Sequence, residues 1–277
     1  MPDFCVKPST LYLVGTPIGN MGDITMRALE TLRQVSLIAC EDTRHSLGLL
    51  NFYGISKPLT ACHRHNERES AERICARLAA GDSVALITDA GMPAISDPGA
   101  IVVAQARAAG YRVEVVPGPS AVVSAIALCA LEQPIWTFVG FLPSRKRDRQ
   151  ALLSSLSDAP GALVFYCAVH DVREDLRDMY AAFGARQAHV VRELTKLYET
   201  HVQGELGALE LDDPRGEYVV VIEAAETKPS APQGSYCEQV AALMDGGTDK
   251  KSEIKEIARR NGVPKDVVYK AVAESDL

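Results

Sequence analysis

The sequence has no apolar run long enough for a membrane, no paired cysteine spacing and no excess of positive charge. Its longest apolar stretch, Ala121 to Leu131, is broken by Ser124 and falls far short of the ~20 residues of a bilayer span, so no membrane partner is expected. The opening Met1-Pro-Asp-Phe-Cys5 lacks a basic segment followed by an apolar one, and a cytoplasmic location is expected. Seven cysteines, an odd number scattered without pairing, fit reduced thiols in that compartment. With 29 basic against 36 acidic residues the net charge is −7, which argues against a surface coated for indiscriminate nucleic-acid binding and leaves room for a local basic site. Also missing are G-x-G-x-x-G and the Gly-Lys-Ser/Thr of a P-loop, so NAD chemistry and nucleotide hydrolysis lose most of their support.

What remains is a globular composition: 277 residues, 47% hydrophobic and 23% charged. That length accommodates two domains of roughly 100–200 residues each, and no single residue type or period suggests disorder, collagen or a coiled coil. Short apolar runs at Leu11–Val14, Val35–Cys40, Pro58–Cys62, Val84–Thr88 and Val113–Val116 read as strands. Helical stripes lie between them: Ile24, Ala28, Leu29 and Leu32, then Ala71, Ile74, Cys75 and Leu78, then the segments Asp97–Ala109 and Ser120–Leu131. Strand and helix in alternation predict a parallel α/β sheet covered on both faces.

Glu132-Gln-Pro134 marks a boundary, because proline blocks continuation of the preceding helix. Beyond it the pattern predicts strands at Trp136–Phe141, Ala162–Tyr166, His189–Arg192 and Glu217–Glu223, with helices from Lys146 and over Val172–Phe183. The last strands lie too close together for helical crossovers, so this second α/β domain is expected to hold a mixed sheet. Lys228 to Gly234 reads as a linker, followed by helical patterns at Tyr236–Met244, Lys251–Arg260 and Lys265–Ala273. The predicted organisation is an N-terminal domain over 1–132, a second domain over 133–227 and a helix-turn-helix-like tail over 228–277. From Thr248 to Lys270 the tail has seven basic and four acidic residues. It is a nucleic-acid contact or a small solvated helical cap.

Three loops past the carboxyl ends of predicted strands carry the chemistry: Gly15-Thr-Pro-Ile-Gly-Asn20, Thr88-Asp-Ala-Gly-Met-Pro-Ala-Ile-Ser-Asp-Pro-Gly99 and Pro117-Gly-Pro-Ser-Ala121. Open α/β sheets bind small molecules at that edge, and glycine lets a ligand approach the backbone. Ser120 reads as the cap of a helix whose N-terminal amides attract an anion. Glu41-Asp-Thr-Arg44 follows the second strand, and Cys62-His-Arg-His65-Asn-Glu67 the third. His63 and His65 would share a face with Cys62 turned away, too few donors for a metal site, so no metal is expected. His65 serves substrate contact, proton handling or a helix cap. Ser144-Arg-Lys-Arg-Asp-Arg149 packs four positive charges into six positions, a solvated helical turn or a set of phosphate contacts.

In this order, Gly15–Asn20, Glu41–Arg44, His65–Glu67, Asp89–Gly91, Ser96–Gly99, Pro117–Pro119, Gly140–Pro143, Arg192-Glu-Leu-Thr-Lys196 and Arg215-Gly-Glu217 resemble the bacterial 16S ribosomal RNA cytidine 2′-O-methyltransferases of the tetrapyrrole methylase superfamily. The resemblance runs from about Thr10 to Glu223 and extends into the tail. It implies two α/β domains with S-adenosylmethionine in the cleft between them, 16S rRNA of the small ribosomal subunit as substrate, and a homodimer. It places Pro17 in the cofactor loop, Asp89 and Met92 at the methionine and ribose end, Ser120 and Ala121 against the cofactor, and Tyr166 and Leu194 opposite. Lys196 or His65 would assist deprotonation of the ribose hydroxyl, while Arg44 and the cluster Arg145, Lys146, Arg147 and Arg149 would hold RNA phosphates. The chain departs from the family at Phe165-Tyr-Cys-Ala-Val-His-Asp171, where Cys167 and Asp171 replace a glutamate and an arginine, and at Met92, where threonine is usual. Alternatives are a small-molecule methyltransferase acting on a tetrapyrrole and a non-catalytic RNA-binding protein on the same fold.

Overall fold

A computed structural model describes residues 5–211, 213–225, 236, 240, 250–260 and 263–273. It forms two compact units, Met1–Ala224 and Ala225–Leu277. The first strands are β1 (Thr10–Val14), β2 (Leu37–Cys40), β3 (Leu59–Ala61), β4 (Val84–Leu86) and β5 (Arg112–Val116). They pair in the order β3-β2-β4-β1-β5, all parallel. Helices α1 (Met26–Gln34), α2 (Thr43–Phe52), α3 (Glu67–Ala79) and α4 (Ala100–Ala108) cover both faces. Alternation along β1 divides the core: Leu11 and Leu13 pack with Ile74, Leu78 and Val102, while Tyr12 and Val14 pack with Leu32 and Leu50. A strand buried on both sides has no polar alternation to display, which is why the central strands β1, β2 and β4, buried at every position, read as mostly apolar runs.

The strand order has a functional consequence. Because β1 lies between β4 and β5, the loops that follow these three strands emerge side by side at one edge. Helix α2 was not read from the sequence. Its signal is Asp42, whose carboxylate accepts the Arg44 backbone N–H at 2.8 Å, followed by buried Ser46, Leu49 and Leu50.

Helix α5 (Ala121–Cys129) leads into the second sheet: β6 (Trp136–Phe141), β7 (Ala162–Cys167), β8 (Gln187–Arg192), β9 (Thr200–Glu205) and β10 (Tyr218–Ile222). Its order is β6-β7-β10-β8-β9, parallel between β6 and β7 and antiparallel elsewhere, the mixed sheet that the short connections predict. Helices α6 (Lys146–Ser155) and α7 (Val172–Phe183) cover one face around Phe165. The other face receives α5, whose Val122, Ala125 and Cys129 pack on Val164, Val191, Val219 and Val221 and join the two sheets. Edge strand β9 was also missed, because Thr-His-Val-Gln-Gly-Glu is exposed over nearly its whole length and buries no face that would impose a pattern.

In the second unit, α8 (Lys250–Arg260) and α9 (Lys265–Ala273) bury Ile254, Ile257, Val268 and Val272 against one another. Most of the predicted helix Tyr236–Met244, the linker 228–234 and the turn residues Asn261 and Gly262 lie outside the described residues.

Candidate functional site

The loop after β1 folds back on the loop after β4: Thr16 and Gly91 exchange backbone hydrogen bonds at 2.9 and 3.2 Å, and the Thr16 hydroxyl donates to the Thr88 carbonyl at 3.1 Å. A Cβ on Gly15 would meet Gly118 Cα and Met92 Sδ, each at 2.7 Å. The glycine after β1 therefore admits the backbone of the β5 loop, where the sequence suggested a ligand approaching it. Pro17 is buried behind this contact, and its neighbour Ile18 faces the cavity.

That cavity has a volume of about 350 Å³, within the ~300–1,000 Å³ usual for small-molecule sites. Met92, Asp97, Ser120 and Ala121 line it from the first sheet's loops; Phe141, Tyr166, Leu194, Lys196 and Glu217 line it from the second sheet. Tyr166 stacks edgewise on Phe138 and tilts against Phe141, with ring centroids 5.0 and 5.4 Å apart. Burial pushes its hydroxyl up to about 12, so the ring contributes a neutral wall. Five of the residues expected at the cofactor, Met92, Ser120, Ala121, Tyr166 and Leu194, thus meet around one space. Asp89 stands beside it, accepting the Asp42 backbone N–H at 3.3 Å.

Asp97 is the ionisable group that sequence reasoning missed, although its loop was singled out. Burial first, and then the neighbouring Glu41 and Asp89 charges, push its carboxyl up to about 6, partly opposed by Arg64. Its loop is fixed from below: Glu67 Oε1 accepts the backbone N–H groups of Gly99 and Ile101 at 2.8 and 2.9 Å, capping α4. The His65–Glu67 motif therefore has a structural member in Glu67. His65 itself is exposed and does not line the cavity. Its ring is 6.0 Å from that of His63, and Cys62 is buried in the core.

Lys196 reaches from the second sheet to the β1 loop, so that a Cβ on Gly19 would strike its stem. Nζ donates to Glu193 Oε1 at 2.8 Å and Glu217 Oε2 at 3.0 Å. Burial works against the ammonium, but the hydrogen bonds of Glu193 and Glu217 outweigh it and lift its pKa above that of an ordinary lysine. The two carboxylates thus favour the charged ammonium of Lys196. Gly216 has φ +75°, and a side chain there would overlap the Glu193 carboxylate.

Of the basic residues, Arg44 has 91% of its side chain exposed and pairs with Asp42 at 3.3 Å. Arg145, Lys146 and Arg147 are exposed. Arg149 is not: it is 4% exposed, with Nε 2.6 Å from Asp178 Oδ2 and a second nitrogen on Glu174, which removes it from the phosphate-facing set. Its helical phase turns it inward while its three neighbours face solvent. Cys167, 2% exposed, adjoins Asp175, and burial raises its thiol well above the usual value. Asp171 is exposed at the start of α7.

The sequence profile of Tetrapyrrole (Corrin/Porphyrin) Methylases matches residues 10–210. The chain is 42% identical over 269 residues to Ribosomal RNA small subunit methyltransferase I of Xylella fastidiosa (strain Temecula1), covering 95% of this chain and 98% of that protein. It is also 42% identical over 274 residues to the protein of the same name from Pseudomonas aeruginosa, covering 95% and 96%. Among solved structures, diphthine synthase superposes with a TM-score of 0.64 at 17% identity, covering 78% of this chain and 90% of that one, a likeness of fold.

Proposed function

Because the chain belongs to the tetrapyrrole methylase family, we propose that it is an S-adenosylmethionine-dependent enzyme that methylates the ribose 2′-hydroxyl of a cytidine in 16S rRNA of the small ribosomal subunit. The relatives' shared name carries the substrate class, and the cavity at the meeting of the two sheets carries the cofactor. That cavity fits the group: apolar and aromatic walls suit an adenine, and the carboxylates of Asp97 and Glu217 suit a molecule bearing a sulfonium and an ammonium. Met92, Ser120, Ala121, Tyr166 and Leu194 would hold it, with Ile18 in front of buried Pro17 and with Asp89 bracing the loop from the side.

When bound, the cofactor supplies a methyl group already activated on a positively charged sulfur. The protein must then orient a ribose hydroxyl, exclude water and take up a proton. Asp97 suits the last task, since a carboxyl near 6 is ionised at neutral pH yet more basic than a free one. Lys196, protonated between Glu193 and Glu217, supplies positive charge toward the oxygen as its proton leaves. Exposed Arg44, Arg145, Lys146 and Arg147 hold RNA phosphates. Exposed apolar side chains at Met26, Val115, Val123 and Leu128 provide surface for a second copy in a homodimer. A cytoplasmic site of action follows from the rRNA substrate.

The test is transfer of labelled methyl from S-adenosylmethionine to purified small subunits lacking their modification, with nucleoside analysis of the digested RNA. A 2′-O-methylcytidine product is expected. Cofactor binding without methylated RNA would overturn the substrate, and methylation of a porphyrin instead would establish the small-molecule alternative.

A further inference from the structure

Away from the cleft, where α5 ends on the second sheet, three metal-binding side chains converge from distant parts of the chain. Cys129 closes α5, His189 lies in β8 and His201 in edge strand β9. One ligand atom of each lies within 4.8 Å of the others. Cys129 and His189 are 7% and 2% exposed, and His201 opens to solvent. His189 Nδ1 faces His201 Nε2 at 2.9 Å, and His189 Nε2 is 2.9 Å from Glu223 Oε1. We infer that Cys129 Sγ, His189 Nδ1 and His201 Nε2 form a binding site for a zinc-type divalent cation, oriented by Glu223.

The donor set supports this choice, since one thiolate with two imidazoles suits a borderline-soft cation and not magnesium or calcium. The far side of His189 supports it as well. A carboxylate on the second nitrogen of a ligating histidine is the usual outer partner, because it fixes the proton at Nε2 and leaves the Nδ1 lone pair for the metal. Bonds of ~2.0–2.1 Å to each nitrogen place the two imidazole nitrogens of a tetrahedral site about 3.3 Å apart, so the rings need separate by only a few tenths of an ångström. His201 sits on an exposed edge strand and can make that adjustment.

Binding has a simple proton balance. A divalent cation is ligated by the thiolate, so the Cys129 thiol must give up its proton on binding. Coordination forms the metal–sulfur bond and releases that proton to solvent, while His201 moves its own proton from Nε2 to Nδ1. Three protein ligands leave a fourth position for water on the open side. The cation would tie the end of α5 to β8 and β9, and α5 begins at the cavity wall with Ser120 and Ala121. Sequence reading missed the cluster because its donors are 60 and 12 residues apart, whereas the Cys62–His65 segment drew attention by proximity alone.

The experiment uses the full-length chain stripped with chelator, then titrated with Zn(II) by calorimetry and with Co(II) by absorption. One zinc ion per chain, a thiolate-to-cobalt charge-transfer band and a raised melting temperature are expected. C129S should abolish the band, H201Q should weaken binding at least tenfold, and E223Q should weaken it by about 10–100-fold. H63Q/H65Q should leave it unchanged. H201Q alters an exposed residue, so it reports on binding even where C129S perturbs the packing. Absence of binding, or binding that C129S and H201Q leave unaltered, would overturn the site.

Discussion

In the proposed reaction Asp97 and Lys196 would divide the proton work of the cavity between a weak acid and a fixed cation, and each assignment has its own signature. Replacing Lys196 by alanine removes charge from the transition state while leaving the apolar walls intact. We expect kcat to fall about 100-fold or more with cofactor affinity little changed, measured by single-turnover kinetics and equilibrium binding. For Asp97 the pH dependence is decisive. The folded protein binds this proton more tightly than the unfolded chain does, so the contribution of Asp97 to stability is present below about pH 4 and is lost as pH rises through about 6. D97N should therefore melt higher than the wild type at pH 8, match it near pH 4, and lose the limb of the activity profile with an apparent pKa near 6. An identical activity profile in D97N would move the base elsewhere. Lys196 was singled out through the resemblance, whereas Asp97 was not, because its setting depends on which charges the fold brings together: Glu41 and Asp89 around Asp97, as Glu193 and Glu217 surround Lys196.

Helix α6 shows how one element separates two jobs that the sequence presents as one cluster. R149A strips the partner from Asp178, which is 9% exposed, and should cost about 3–5 kcal/mol by chemical denaturation. Alanine at Arg145, Lys146 and Arg147 together should leave stability nearly unchanged and reduce the slope of log affinity for single-stranded RNA against log salt by about 2. If both variants lose stability alike, the division between inward and outward charges is wrong. Elements with a strong burial pattern were the legible ones: β1, buried at all five positions, and α7, with its apolar stripe. Edge strand β9 and the α2 start at Asp42 were not, because one buries little and the other announces itself through a single hydrogen bond.

At the scale of the whole molecule, residues Met1–Ala224 form a compact unit that contains both sheets and the cavity. A chain ending at residue 225 is expected to fold and bind S-adenosylmethionine with unchanged affinity by calorimetry. If the basic tail contributes to the substrate, the same truncation will weaken binding to small subunits. The α/β alternation and the mixed second sheet followed from patterning and connection length, whereas the cavity required strand order, which no local pattern encodes. The contact of Gly15 with Gly118 carries that order into heredity. Each residue touches the other's backbone, so neither can gain a side chain, and no second substitution can compensate because both are already at the minimum. Such a pair cannot covary. Among descendants that keep this fold, the contact that aligns the β1 and β5 loops will be silent to any method that infers proximity from correlated change, and it will persist only as two positions that do not vary.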